Sequence, residues 1–321
     1  LIKKKNLRYT VQQLTEAEYD LFDTMVVGYF LDKLSDFNSL YGLSILKECL
    51  KRNKNFIIWD KSIFEIVQSL KKTVNESYTG DIYFTSFDEE KRDLLYHSVE
   101  YTELKVPSIC VVGTNSRQGK FTTQLTIKKL LQGEGYAVSH LSTEPQGLIL
   151  GADMTFPIGH KGTIYIDVRD WHKTLRLLQQ LIEKKAKPDV IVTGSQGGIL
   201  PMHPVRDSAP PEKLCYVKAF YPDALVCTIS PYDSVEFIKK TTDVLTSYVD
   251  SKVLFYVMTP WQYEFHHGQQ SILSFRKISE AEYTQRLAYY NEHLPSPTIN
   301  IKDQHDHPLI LDIIQQHFSK N

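Results

Sequence analysis

Gly113, Gly119 and Lys120 set the chemistry open to this sequence. In the stretch VVGTNSRQGKFTTQL, five residues (Thr114, Asn115, Ser116, Arg117 and Gln118) separate the glycines, and Phe121, Thr122 and Thr123 follow the lysine. Glycines let a chain curl until successive backbone N–H groups point inward. A helix starting there adds its positive end, so such a segment can hold a phosphate. Lys120 would bring charge to the outer phosphates, which makes it a binding residue and a catalytic candidate at once. The usual phosphate loop has Ser or Thr directly after the lysine, to meet a metal ion. Here Phe121 holds that place, and Thr122 or Thr123 is left to meet magnesium. Because glycine precedes lysine in plain turns too, the reading requires a strand before the loop and a helix after it.

Three further groups could serve the same mouth. Ser195, Gln196, Gly197 and Gly198 can bring backbone amides to a ligand, or form an ordinary strand-to-helix turn. His203 before Pro204, with Arg206 and Asp207, offers an acid/base and an anion clamp, or a solvated proline-rich loop. Glu144 in STEPQG can ligate a metal or orient an attacking amine, or be a surface acid. His266-His267 and the HDH run at 305–307 lack a third ligand at a metal-site spacing, so no structural metal is expected there.

These residues need elements to position them, and the required ones are present. From Val106 onward apolar runs alternate with amphipathic stretches: SICVVG, YAVSHLST, PDVIVTG, DALVCTIS and KVLFYVM read as strands. FTTQLTIKKLLQGEG, WHKTLRLLQQLIEKK and SVEFIKKTTDVLTSY read as helices. Trp171, Leu175, Leu178 and Ile182 share one helical face. The expected fold is α/β: a P-loop NTPase-like, doubly wound parallel sheet over 106–321, with a smaller α/β region over 1–105. That smaller region shows a helix at LYGLSILKECLKR and strands at FIIWD and DIYFTSF, but no chemical motif. TPWQYEFHHG reads as a packed loop.

Composition narrows the partners. Lys plus Arg number 37 against 38 Asp plus Glu, so no general positive field favours nucleic acid. Cys49, Cys110, Cys215 and Cys227 are scattered and read as buried thiols of a reducing compartment. No apolar run nears the roughly 18 residues needed for a membrane span. The opening LIKKK is not an apolar signal segment, and the expectation is a cytoplasmic homo-oligomer with a small-molecule or peptide substrate and no membrane or nucleic-acid partner.

The loop resembles the variant phosphate loop of dethiobiotin synthetase. It is closer still to a family of bacterial P-loop proteins, long of unknown function, whose better-described members include D-glutamate N-acetyltransferases. That family's loop is similar to Gly113-Thr114, four residues, Gly119-Lys120, a bulky residue such as Phe121, then two threonines. STEPQGLILG, GSQGGILPMHP and YPDALVCTISP resemble further family segments. The resemblance implies an enzyme using ATP or acetyl-CoA, with magnesium where ATP is used, to modify an amino-acid-like or peptide substrate by phosphoryl or acyl transfer. A role in peptide maturation goes with it. One departure stands out: both families have a glutamate where this chain has Thr193 or Gly194, so metal binding would fall to phosphate oxygens and to Glu144 or Asp153. That loss favours acyl transfer or binding alone, and its alternative is a nucleotide-binding scaffold that has lost catalysis.

Overall fold

The apolar runs become strands because both of their faces are covered. The computed structural model describes residues 16–28, 39–159, 161–201, 211–265 and 273–319. Within them the chain forms two compact units, divided between Thr85 and Ser86.

The first unit carries a three-stranded parallel sheet of β1 (Thr24–Val27), β2 (Asn55–Ile58) and β3 (Ile82–Phe84), in that order. Helices α1 (Ser39–Lys51) and α2 (Lys61–Val74) supply Leu46, Cys49, Leu50, Ile63 and Val67 to its core with Phe56 and Ile58. Asp60 caps α2 by accepting from the Ser62 amide.

The second unit begins earlier than the expected 105/106 boundary. Its first helix, α3 (Glu89–Ser98), is bound to α5 (Trp171–Ala186) and the residue before it: the Arg92 guanidinium lies 2.9 Å from Asp170, and the Tyr96 hydroxyl 3.2 Å from that of Thr174. Glu183 on α5 then accepts from the amides of Lys105 and Val106 at 2.8 and 2.7 Å. Charge-rich sequence hid this attachment, since only Leu95 of α3 is buried.

A seven-stranded parallel sheet follows, in the order β12 (Thr298–Ile299), β9 (Lys252–Met258), β8 (Ala224–Ile229), β4 (Ser108–Gly113), β7 (Val190–Gly194), β5 (Val138–Ser142), β6 (Met154–Thr155). Every residue of β4, β5, β7 and β8 is buried, as expected of parallel strands with helices on both sides. Side chains alternate between two cores. Cys110, Val112, Ile191, Leu225 and Cys227 face α5 and the helices α6 (Glu212–Phe220), α7 (Val235–Tyr248) and α8 (Glu280–His293). Ile109, Val111, Val190, Val192 and Val226 face α4 (Lys120–Gly133) and α9 (His307–Phe318). The predicted helical stripe of Trp171, Leu175, Leu178 and Ile182 is buried throughout.

The described part of TPWQYEFHHG, which ends at Phe265, is no packed loop. Trp261–Phe265 is β10, which pairs antiparallel with β11 (Leu273–Lys277), and Trp261 keeps 40% of its surface exposed. Among the described residues no helix is long and apolar enough to cross a membrane, and all four cysteines are free.

Candidate functional site

β4 ends at Gly113 in the middle of the sheet, and α4 begins at Lys120, so the loop between them lies beyond the carboxyl ends of the strands. Two positions explain the glycines. A Cβ on Gly113 would stand 2.4 Å from Thr228 Oγ1 and 2.9 Å from Gln118 Oε1, and Gly119 turns the chain into the helix with a left-handed φ of 78°.

The loop is held by its own side chains. Gln118, 1% exposed, accepts from the Asn115 amide at 2.8 Å and donates to Thr114 Oγ1 at 2.6 Å. Thr114 in turn donates to Asp233 Oδ2 at 2.5 Å, and that carboxylate also accepts from the Ser230 amide at 2.8 Å. Asp233 is buried, which pushes its carboxyl upward, while the Thr114, Ser230 and Gln118 donors pull it back. Behind this layer, Tyr290 of α8 donates to the carbonyls of Ser230 and Asp233 at 3.0 and 2.7 Å. Thr114 and Gln118 therefore shape the loop from behind, whereas Ser116, Arg117 and Gly119 are exposed at its mouth.

Lys120 is buried, not solvated. Its ammonium donates to the Asn115 carbonyl at 2.6 Å. Burial first, and the charge of Lys213 second, push the amine down to about 8, against weaker opposing effects of Cys227 and Glu144. Since the folded value lies below the ordinary 10.5, the unfolded chain binds more protons between the two. The cost of burying the charge is thus fully present below about pH 8 and is relieved as pH rises toward 10.5. We expect stability to rise between about pH 8 and 10.5 as this ammonium loses its proton, and the Lys120→Ala variant to lack that rise. Denaturant unfolding of both proteins across the alkaline range checks this, and a parent curve that does not differ from the variant's rules it out.

Phe121 fills the usual hydroxyl position because it packs: its ring centroid lies 5.9 Å from that of His140 on β5. His140 is pushed down to about 4, chiefly by burial, so this contact is with a neutral imidazole. Thr122 is exposed, while Thr123 is fully buried with its hydroxyl unbonded. Both line a cavity of about 580 Å³ that runs from Arg117 to Met258, Trp261, Tyr283 and Asn300.

On the other side of the loop, Thr143 donates to the Gly194 carbonyl at 2.6 Å and accepts from Gln196 at 2.9 Å. Glu144 accepts from Gln146 at 3.3 Å, and its Oε2 and the Gln196 carboxamide carbon both approach Gly159. Ser195 is fully buried with an unbonded hydroxyl, and Gly197 and Gly198 are buried against Lys213 and the loop. The structure thus brings Lys120, Glu144, Gln196 and the glycine pair to one mouth. His203, Arg206, Asp207, His266 and His267 lie outside the described residues, in which no group of three or more His, Cys, Asp or Glu could hold a metal ion.

Neither alternative for the missing acid can accept one. Thr193 faces the other core, donating to the Leu141 carbonyl at 2.7 Å and lying 2.6 Å from the Tyr216 hydroxyl. A Cβ on Gly194 points toward α4 but would stand 2.1 Å from Gln124 Nε2. Asp153 is also spent: it accepts from the His140 amide at 2.7 Å and lies 3.6 Å from Lys128. Of the acids proposed from sequence, Glu144 remains. Lys213 and Asp233 were missed, since one sits in an ordinary helical turn and the other before a helix cap, Ser234.

A comparison with curated proteins finds no match. Among solved structures, the chain is similar to a DUF1611 family protein from Anabaena variabilis ATCC 29413, with a TM-score of 0.60 and 14% identity over 91% of this chain and 80% of that one. It is more distantly similar to cobyrinic acid a,c-diamide synthase from Mycobacterium smegmatis with bound ADP and magnesium (TM-score 0.41, 14% identity, 68% and 97% covered). A nucleotide-binding protein in complex with ADP from Archaeoglobus fulgidus follows (0.36, 13%, 65% and 86%). Residues 91–309 match the family described as "Domain of unknown function (DUF1611_C) P-loop domain", and the chain belongs to that family.

Proposed function

We propose that the second unit binds a nucleoside di- or triphosphate, with its phosphates on residues 113–122 and its base and ribose in the cavity beside Thr122 and Trp261. The observation that carries this is the buried Lys120 at the first turn of α4, behind a glycine-turned loop whose exposed edge is Ser116, Arg117 and Gly119. The donors fit phosphate. Magnesium fits less well: Phe121 leaves no hydroxyl after the lysine, so the ion would rest on phosphate oxygens, Glu144 and water, with Thr122 or Thr123 as the neighbouring hydroxyls. When bound, it would neutralise phosphate charge.

Bound as a triphosphate, the nucleotide gives its outermost phosphoryl group to a small-molecule or peptide substrate at the Glu144 side, and the diphosphate leaves. There Glu144 takes a proton from, or orients, the attacking group, Gln196 positions it, and Lys120 holds the phosphate charge. The unfilled acid position at Thr193 and Gly194 favours a second reading, a binding protein with little hydrolysis. Acyl transfer is a third, with the phosphoadenosine of acetyl-CoA in the same cradle.

Thermal denaturation with ADP, ATP, GTP and acetyl-CoA, with and without magnesium, separates these. At about a hundredfold excess over Kd, a ligand of the folded state adds about 2.7 kcal/mol, which raises Tm by roughly 5–11 °C. ADP or ATP is expected to do so. A response to acetyl-CoA alone would move the reading to acyl transfer, and no response to any of the four would refute it.

A further inference from the structure

A second cation reaches the loop from α6. Lys213 stands in the first turn of that helix, and its side chain lies across Gly197: a Cβ built there would be 2.2 Å from Nζ and 2.7 Å from Cε. Gly197 has a left-handed φ of 59°, so the backbone there favours glycine, and a side chain would have to displace the end of the lysine. On the opposite side of the pair, a Cβ on Gly198 would be 2.4 Å from the Thr114 carbonyl oxygen and 3.2 Å from Asn115 Cα. Two residues without side chains are thus sandwiched between a lysine and the phosphate loop, and any larger residue would force the lysine away.

The consequence is electrostatic. Lys213 repels Lys120 strongly enough to rank second only to burial among the influences on that amine. An anion with charge at more than one point gains from both cations when it lies between them. The sheet gives the direction of that anion. The cavity proposed for the base borders the ends of β9, whereas Gly197 and Gly198 follow β7, on the other side of β4. A nucleotide with its base over β9 runs its phosphates along the loop toward β7.

We propose that Lys213 is a second phosphate clamp, gripping the phosphate farthest from the base, so that the site prefers a nucleoside triphosphate to a diphosphate. This rests on the reading of residues 113–122 as a nucleotide site. In that arrangement Lys120 holds the middle of the polyphosphate and Lys213 its outer end, on the side where Glu144 and Gln196 stand.

The test is calorimetric titration of the full chain with ATP, ADP and inorganic tripolyphosphate, in the presence of a chelator so that no metal bridges the phosphates. The parent, Lys213→Ala, Lys213→Arg and Lys120→Ala are compared. Lys213→Ala is expected to weaken ATP and tripolyphosphate roughly 10- to 100-fold and ADP less than about threefold, with Lys213→Arg recovering most of the loss. An unchanged ratio of ATP to ADP affinity in Lys213→Ala overturns the proposal, as does an equal loss of both that arginine does not recover, which marks a structural role. Failure of the parent to bind any of the three removes the nucleotide reading and this proposal together. Binding that Lys120→Ala abolishes and Lys213→Ala leaves untouched removes this proposal alone.

Discussion

Lys120→Ala is expected to give a folded protein that no longer holds nucleotide. The side chain is 7% exposed and its ammonium satisfies one carbonyl, that of Asn115. Its removal forfeits that charged hydrogen bond, about 1.5–3 kcal/mol, but also relieves a buried charge already held below its ordinary value. The two effects oppose each other, so the melting temperature without ligand should move by no more than a few degrees. Binding has no such compensation. An ammonium shared between two phosphate groups makes charge-assisted hydrogen bonds of about 1.5–3 kcal/mol each, so ADP affinity should fall about a hundredfold or more. Titration with ADP checks this, and a variant within threefold of the parent would falsify the assignment of the loop.

Asp233→Ala should act in the opposite manner, destabilising the unit before any ligand is added. One oxygen of this buried carboxylate accepts from the Thr114 hydroxyl, the Ser230 amide and, at 3.4 Å, the Gln118 amide. Alanine leaves those donors in a cavity that water enters poorly. The Gln118 amide keeps Thr114 Oγ1 and Ser230 Oγ as acceptors, so two donors are orphaned, and at about 1–1.5 kcal/mol each the loss is about 2–3 kcal/mol, or roughly 4–12 °C in Tm. Nucleotide affinity should fall as well, because Thr114 and Gln118 set the curl of the loop. Asp233→Asn keeps the shape and an acceptor oxygen, and should lie between the two. A Tm within one or two degrees of the parent for Asp233→Ala would show that the network is ornamental.

The strands of the second unit were legible for a physical reason. SICVVG and KVLFYVM match β4 and β9 because strands buried on both faces must be apolar throughout, and such runs have sharp ends. The stripe from Trp171 to Ile182 was legible because one side of α5 meets the sheet. Lys213 was not, since its meaning depends on Gly197 and Gly198 lying between it and the loop, a juxtaposition of segments that sequence does not order. The choice between Thr193 and Gly194 was half legible. Strand alternation puts them on opposite faces, but that α4 covers the face of Gly194 is a property of the sheet's winding. Asp233 was hidden by local logic, because an acid beside Ser234 looks like helix capping.

The frame of the phosphate loop has a consequence for how the protein comes to be. The loop is contiguous in sequence and its own Gln118 and Lys120 bond within it, but the layer that backs it comes from far along the chain. Ser108 at the foot of β4 bonds Asp223, 115 residues later, and Thr114 bonds Asp233, 119 residues later. Tyr290 fixes the Ser230 carbonyl from 60 residues further on. β4 pairs with β7 and β8, both of which are synthesised long after it. Contacts of such sequence separation form slowly, and a chain made from its N-terminus exposes this glycine-rich segment well before the residues that curl it exist. The loop therefore takes shape only when the second unit closes as a whole, and a chain that stops short of α8 carries its motif without its geometry.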